Sequence, residues 1–342
     1  MKQILFTGLN KAELIDVPED ILGDNFVRVK TYVSSISCGT ERANITGDLN
    51  VGIYGEPPKT AVFPRQSGYS SAGIVVEKGR NVTDLEIGDR VAMSWTLHKE
   101  FNVIDRSRAV KMPEGMNFNE AALAHIGTFP MAAIRKTRLE IGESCMIMGL
   151  GVLGLFAVQF ARAAGAVPVI AVDPIKERRD KVLKFGADYA FDPFEADFAE
   201  KVKAAAGGGV NTAIEVTGVG AGFNECLDCM ARFGRVALLG CTRDKNFTVD
   251  YYRKIHGPGI TVIGAHTLAR PEFESSPGMF TTRDDVKAIL MLCAAKRINI
   301  NGMIDEVHSP LECGNVYDRL INDKKFPNVV QFDWTELQAN NE

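Results

Sequence analysis

The sequence has 342 residues, of which 46% are hydrophobic and 24% charged, which is typical of a packed globular protein and excludes a disordered or fibrous chain. A formal net charge of −4 provides no broad basic surface, so nucleic acid and anionic membranes are not expected partners. The length exceeds what one hydrophobic core usually organises, and we therefore expect two domains.

The first residues, MKQILFTGL, form a short apolar stretch without a small-residue cleavage site, which predicts a first strand and not a signal peptide. One long apolar tract, residues 145–160, contains glycines and is short for a membrane span, so no membrane helix is expected. Seven cysteines without a secretory signal favour reduced thiols. These features predict a cytoplasmic protein.

Strands dominate the first third of the chain. Residues 26–36 and 71–76 are rich in β-branched side chains and are bounded by turn residues, as in a compact β domain. From Asn119 the apolar spacing becomes helical, with Asn119 as the predicted N-cap and Pro130 as a break or kink.

Strand and helix patterns alternate from Ser144 onward. Two later segments, EVTG after Ala213 and RVALLG from Arg235, predict further short buried strands. Strands without polar alternation, separated by helices, favour a parallel sheet that is covered on both faces. After Gly264 this alternation stops; a helix is predicted at 284–296, and the tail is expected to fold back on the first domain.

The sequence GLGVLG follows a hydrophobic strand and opens a helix, which is the context that gives a GxGxxG motif its meaning. Its first glycine permits the tight turn, the second lets the backbone approach a pyrophosphate, and the third lets the helix lie close to the strand. The phosphates would lie at the helix N-terminus. The predicted cofactor-binding residues are Gly149, Gly151, Val152, Leu153 and Gly154.

An acidic residue follows the next predicted strand. Asp173 lies nineteen positions after Gly154, where a carboxylate can accept hydrogen bonds from both ribose hydroxyls of the adenosine. Because the same charge repels a 2′-phosphate, we expect NAD rather than NADP. Arg178 is placed to reach the same ribose, and Thr217 of the EVTG segment completes the predicted cofactor site.

Several motifs together resemble the medium-chain dehydrogenase/reductase superfamily, in its branch of zinc-type alcohol and polyol dehydrogenases: SCGTE at 37–41, GIVV at 73–76, GDRV at 88–91 and GLGVLG at 149–154. The resemblance implies an α/β protein with two parts. A β-rich, GroES-like catalytic domain would comprise residues 1–124 and 267–342, and a Rossmann domain with a doubly wound parallel sheet would comprise 125–266. It also implies an active site in the cleft between them and a homo-oligomer, a dimer or a tetramer.

The catalytic metal of this family is usually held by a Cys, a His from a GHE segment and a Cys or Glu ahead of the Rossmann domain. Cys38 matches the first position, but the GHE segment reads Gly68-Tyr69-Ser70 and the third position is His125. The cysteines of the family's structural zinc lobe are absent from residues 93–111. A neutral phenol is a weak zinc ligand, so no metal is expected.

Without zinc, side chains must remove the proton of an alcohol. We predict that Tyr69 and His125 converge at the nicotinamide end of the cleft, with His125 as general base, and that Thr40 is the family's relay hydroxyl. Cys38 completes the predicted catalytic set. The alternatives are that Cys38 is a buried thiol and His125 a packed helix residue; His98 is expected at the surface.

The favoured function is an NAD-dependent dehydrogenase of a small-molecule secondary alcohol, a sugar or a polyol. One alternative is a zinc-free, NADPH-dependent alkene or quinone reductase, and another is a non-catalytic nucleotide-binding protein. Cys226 and Cys229 form a CxxC without a second pair nearby, and ECLDCMARFG is interpreted as a packed helix. Residues 261–265 are the predicted edge strand for oligomerisation.

Overall fold

The computed structural model describes residues 1–52, 55–241 and 246–339. Its strands are β1 (Lys2–Gly8), β2 (Lys11–Asp16), β3 (Phe26–Ser35), β4 (Arg65–Gln66), β5 (Ser70–Lys78), β6 (Arg90–Ser94), β7 (Phe101–Asp105), β8 (Ala109–Lys111), β9 (Cys145–Met148), β10 (Val169–Val172), β11 (Tyr189–Phe191), β12 (Val210–Glu215), β13 (Met230–Leu238), β14 (Thr261–Gly264), β15 (Glu306–His308) and β16 (Val330–Asp333). Its α-helices are α1 (Cys38–Ile45), α2 (Phe118–Ala121), α3 (Ala124–Lys136), α4 (Val152–Ala163), α5 (Lys176–Leu183), α6 (Phe198–Ala205), α7 (Gly220–Asp228), α8 (Thr282–Ala294), α9 (Cys313–Asn322) and α10 (Thr335–Ala339). No helix within these described ranges is long and apolar enough to cross a membrane.

The chain divides into two compact units. The terminal unit comprises Met1–Ile126, Val286–Ala294 and Ile300–Glu342, and the central unit comprises Gly127–Asp285 and Ala295–Asn299. The first limit lies near the one predicted at 124/125, whereas the second lies at 285/286 and not at 266/267. The extents of the functional domains stay predictions.

The terminal unit is rich in β-structure. Its larger sheet has the order β15-β16-β3-β5-β6-β8, with β7 also paired to β3, and a smaller antiparallel sheet has the order β2-β1-β4. Val27 and Val29 of β3 are fully buried while Arg28 between them is not, as expected for a strand with one face on the core. β16 pairs antiparallel with β3, so the predicted return of the tail to the first domain is confirmed.

The central unit has a parallel sheet with the order β11-β10-β9-β12-β13-β14. Every residue of β9 and β10 is buried, because helices cover both faces of such a sheet. The order changes direction beside β9, which is the doubly wound arrangement that the alternating pattern predicts. The predicted edge strand corresponds to β14, at the end of the sheet.

Two predicted elements differ from the structure. The N-cap is Asn117 of the short helix α2, where Asn117 and Glu120 form a capping box; Asn119 instead donates a 2.9 Å hydrogen bond to Gln331. Pro130 lies inside α3 without ending it.

The second difference concerns the segment after α7. The helix ends at Asp228, and β13 already begins at Met230, so MARFG is not helical. The pairing with β12 shifts in register between Met230 and Arg235, and Phe233 has a φ of +63°. This irregular stretch lacks the period-two pattern by which a strand is recognised in a sequence.

Candidate functional site

The loop after β9 is built on three glycines with different requirements. Gly149 has a φ of +103°, a left-handed backbone that favours glycine. A Cβ on Gly154 would lie 2.0 Å from the carbonyl oxygen of Gly149, so only glycine lets α4 pass this close to the loop. Gly151 is the N-cap of α4, and a Cβ there would meet no atom of the described residues within 4 Å. The open space beside a helix N-terminus favours an anion.

Asp173 directly follows β10 and is tied to the glycine loop. Its Oδ2 accepts a 2.9 Å hydrogen bond from the backbone N–H of Leu150, and its Oδ1 accepts a 2.8 Å bond from that of Ile175. Arg178 Nη1 lies 3.6 Å from Oδ2. Because each carboxylate oxygen can accept more than one hydrogen bond, Asp173 can also receive ribose hydroxyls.

A buried carboxylate that sequence analysis did not single out ends β12. Glu215 Oε1 accepts a 2.7 Å hydrogen bond from Thr217 N and another from the Thr217 hydroxyl. Burial raises the pKa of Glu215, and these hydrogen bonds only partly offset it. A Cβ on Gly149 would lie 3.1 Å from Thr217 Cγ2, so Thr217 borders the glycine loop. Because Glu215 is hydrogen-bonded to Thr217, it fixes the loop that carries Thr217. In the sequence, Glu215 could have been recognised as a candidate because it is an acidic residue at the end of a predicted buried strand, in the segment EVTG.

In the terminal unit, Tyr69, Trp95 and His125 form an aromatic–histidine group. The ring centroids of Tyr69 and His125 are 5.7 Å apart, and those of Trp95 and His125 are 4.7 Å apart. His125 is the second residue of α3 and is 1% exposed, whereas Tyr69 is half-buried. Trp95, which was not predicted for the site, has a φ of +60°, a left-handed conformation that side chains rarely adopt.

The Tyr69 hydroxyl donates a hydrogen bond to Ser37 Oγ, at the N-cap of α1. Cys38 begins this helix, and its Sγ lies 3.6 Å from the carbonyl oxygen of Asn328 and 3.8 Å from that of Pro327. Thr40 is exposed, and its carbonyl oxygen accepts a 2.9 Å bond from an amide one turn later. The structure thus brings Tyr69 and His125 together and gives Cys38 contacts with the C-terminal part of the chain.

His98 is fully buried, so the expectation of a surface histidine was wrong. Its Nδ1 lies 2.7 Å from Ser34 Oγ, and its Nε2 lies 3.1 Å from Glu41 Oε2. The Tyr317 hydroxyl donates to the same carboxylate, and Trp334 Nε1 donates a 2.9 Å bond to Ser34 Oγ. These partners are far apart in the sequence, so no local pattern around His98 indicates its burial.

The CxxC pair is structural, as interpreted from the sequence. Cys226 lies in α7 and Cys229 directly after it, and both side chains are fully buried. Burial raises the pKa of Cys229 to about 12 and that of Cys226 well above the ordinary value. Such thiols are inert, because the thiolate is the reactive form.

The residues at the family's metal positions do not fit a zinc ion. Tyr69 is engaged with a serine hydroxyl, and Cys38 Sγ lies beside backbone carbonyl oxygens. Neutral phenols bind zinc weakly. Among residues 1–52, 55–241 and 246–339, no group of three or more His, Cys, Asp or Glu side chains could hold a metal.

The glycine loop, Asp173 and Thr217 lie at the carboxyl ends of β9, β10 and β12, where the strand order of the central sheet reverses. Doubly wound proteins bind dinucleotides at this point. The fold and the geometry of this site are therefore those of the class of doubly wound dinucleotide-binding proteins, here with a separate β-rich unit.

Comparisons with known proteins agree with this class. A family model described as Zinc-binding dehydrogenase matches residues 152–280. L-threonine 3-dehydrogenase of Pyrococcus furiosus is 30% identical over 287 residues, which cover 74% of this chain and 79% of that protein. D-guloside 3-dehydrogenase of Escherichia coli strain K12 is 26% identical over 288 residues, covering 79% of this chain and 82% of that protein.

The structure of galactitol-1-phosphate dehydrogenase from Escherichia coli superposes with a TM-score of 0.82 at 20% identity, covering 98% of this chain and 100% of that one. The predicted fold class, a GroES-like catalytic part with a Rossmann part, is thereby confirmed. The chain belongs to the zinc-binding dehydrogenase family of medium-chain dehydrogenases. It is an alcohol dehydrogenase-like oxidoreductase.

Proposed function

We propose that the protein transfers hydride between NAD and a secondary alcohol or its carbonyl, and that the substrate is a sugar or a polyol. Its relatives support the reaction: the D-guloside and L-threonine enzymes are both named as 3-dehydrogenases, and carbon 3 of each named compound carries a secondary alcohol. The GYS segment at 68–70 and the segment from Asp250 to His266 resemble the sugar and polyol branch of the family and support the substrate class.

Asp173 is the observation that carries the cofactor assignment. The carboxylate is buried, hydrogen-bonded to the glycine loop and placed directly after β10. A negative charge in this position accepts ribose hydroxyls and repels a 2′-phosphate. NAD would be held by the glycine loop, Val152 and Leu153 at the start of α4, Asp173, Arg178 and Thr217, and when bound it supplies the hydride acceptor.

For the substrate we propose roles for four side chains of the terminal unit. Tyr69 contributes a phenol hydroxyl, which can both donate and accept hydrogen bonds, so that besides donating to Ser37 it can accept one from the substrate hydroxyl. His125 removes the proton, since imidazole is the side chain that titrates near neutral pH. Thr40 and Cys38, on α1, complete the site, with Thr40 as the relay hydroxyl.

The Asp173→Asn variant is expected to weaken NAD binding about tenfold and to reduce the preference for NAD over NADP by at least as much, because the amide lacks the charge that repels a 2′-phosphate. Calorimetry with both cofactors measures this. Asp180→Asn, at an exposed ion pair with Lys176, is the matched control and should leave both affinities unchanged. Equal affinity of the unmodified protein for the two cofactors would contradict the assignment.

A panel of sugars, polyols and simple secondary alcohols with NAD, set beside alkenes and quinones with NADPH, tests the reaction. We expect NAD reduction with at least one polyhydroxy substrate. Reduction of an alkene or quinone with NADPH, without any alcohol oxidation, would instead identify a zinc-free reductase.

Zinc is proposed to be absent from the mechanism. Elemental analysis of the purified protein is expected to give far less than one zinc per chain, and incubation with a chelator is expected to leave turnover unchanged, because the side chains at the metal positions are engaged elsewhere. Stoichiometric zinc whose removal abolishes turnover, and whose return restores it, would overturn this proposal.

We further propose a cytoplasmic homo-oligomer with a small-molecule substrate and no nucleic-acid or membrane partner. In the described part of the chain no cysteine forms a disulfide, which supports a reducing compartment. β14 ends the central sheet and exposes Val262, so it offers an edge for pairing with a second copy.

A further inference from the structure

Ser37 connects Tyr69 to a buried carboxylate. The Tyr69 hydroxyl donates to Ser37 Oγ, and the backbone N–H of Ser37 donates a 2.8 Å hydrogen bond to Glu41 Oε1. Because both bonds involve one residue, the position of the Glu41 carboxylate sets that of Ser37 and, through it, that of the phenol hydroxyl.

The carboxylate is itself held from the other side. His98 Nε2 lies 3.1 Å from Glu41 Oε2, and the Tyr317 hydroxyl donates to the same oxygen. An ionised carboxylate only accepts hydrogen bonds, so all of its partners here are donors. Burial raises the pKa of Glu41, but the interactions with His98, Tyr317 and Ser37 lower it more, and the resulting pKa lies below the ordinary value.

His98 also bears on the backbone around Tyr69. The backbone N–H of His98 donates a 3.0 Å hydrogen bond to the carbonyl oxygen of Ser67, and a Cβ on Gly68 would lie 2.7 Å from the same backbone nitrogen. The N–H of Trp95 donates a 2.8 Å bond to the carbonyl oxygen of Tyr69. The segment that carries His98 therefore fixes Tyr69 at its backbone, while the His98 ring fixes it at its hydroxyl.

We propose that Glu41 and His98 are positioning residues that hold the Tyr69 hydroxyl in place through Ser37. Neither side chain touches the substrate; both are at most 2% exposed. Their role is to keep one oxygen in the orientation in which it meets the substrate hydroxyl, which lowers the entropic cost of reaching the reactive geometry. This inference rests on the proposed function, in which Tyr69 contacts the substrate.

Two substitutions at His98 separate its contacts. His98→Gln keeps an N–H donor near the position of Nε2, whereas His98→Asn keeps only a group near Nδ1 and loses the bond to Glu41. Glu41→Gln keeps one side-chain oxygen but replaces the other with an NH₂ group, which cannot accept a hydrogen bond from Ser37, His98 or Tyr317. Leu320→Ala, in the hydrophobic core that also contains Tyr317, is the control for a loss of stability alone.

The hydrogen bond of Tyr69 can be observed without any substrate. In protein labelled with ¹³C at tyrosine Cζ, the signals come from seven tyrosines, and the Tyr69→Phe variant identifies the one that belongs to Tyr69. We expect this signal to shift in His98→Asn and Glu41→Gln and to stay in place in His98→Gln and Leu320→Ala. An unchanged signal in both His98→Asn and Glu41→Gln would overturn the inference. If His98→Asn does not fold, the isosteric Glu41→Gln carries the same test.

Turnover then tests the catalytic consequence. We expect kcat to fall about tenfold in His98→Asn and Glu41→Gln, with recovery to within about threefold in His98→Gln and with an unchanged Kd for NAD. Leu320→Ala should retain its kcat per folded molecule. A shifted Tyr69 signal together with full turnover in Tyr69→Phe would refute the proposed role of Tyr69 while leaving the positioning by Glu41 and His98 intact.

Discussion

Replacement of His125 by alanine is expected to lower kcat by about 10² or more while leaving the affinity for NAD nearly unchanged. The ring is the imidazole of the aromatic–histidine group, packed against Trp95 and Tyr69. No residue predicted to hold the cofactor is altered by this change. Steady-state kinetics and calorimetry with NAD measure the two quantities.

Because His125 is 1% exposed, its removal also leaves a cavity that lowers the free energy of unfolding. Ile126→Ala, at the adjoining fully buried position of α3, provides a cavity without the loss of a base. We expect this control to retain wild-type turnover at a comparable loss of thermal stability. Wild-type turnover in His125→Ala would remove this residue from the mechanism.

The two glycines at the start of α4 should respond differently to the same substitution. Gly154→Ala places a Cβ 2.0 Å from the Gly149 carbonyl oxygen, so loop and helix must separate. We expect a loss of stability of about 1–3 kcal/mol or more, together with at least a tenfold loss of NAD affinity.

Gly151→Ala is the matched variant. At Gly151 the backbone has φ −71° and ψ −167°, which alanine adopts without strain, and the added Cβ meets no described atom within 4 Å. Its thermal unfolding should match that of the unmodified protein, whereas NAD binding should weaken because the methyl group occupies the space for the pyrophosphate. Equal NAD affinity in Gly151→Ala and the unmodified protein would place the cofactor elsewhere.

The parts of the molecule that depend on local sequence were predictable. The geometry of a GxGxxG loop can be predicted from its sequence, because the positive φ of Gly149 and the close approach at Gly154 both require glycine. The fully buried strands β9 and β10 are recognisable for the same reason, since sheets covered on both faces need continuous apolar runs.

Features that depend on distant contacts were not predictable. The burial of His98 follows from Ser34, Glu41 and Tyr317, which the fold brings together from separate elements. Nothing within a few residues of His98 distinguishes it from an exposed histidine. The beginning of β13 at Met230 likewise depends on its irregular pairing with β12 and not on its own pattern.

The pairing of β16 with β3 has a consequence for synthesis of the chain. Residues 1–126 cannot complete their sheet until the ribosome has made β16 and Trp334, about 200 residues later. At usual elongation rates this delay lasts roughly 10–40 s. The central unit is nearly continuous in the chain and is available to fold in the meantime. Throughout that interval the edge of β3 that later pairs with β16 can pair with strands of other chains. The nascent protein is therefore most vulnerable to aggregation in the part that is synthesised first.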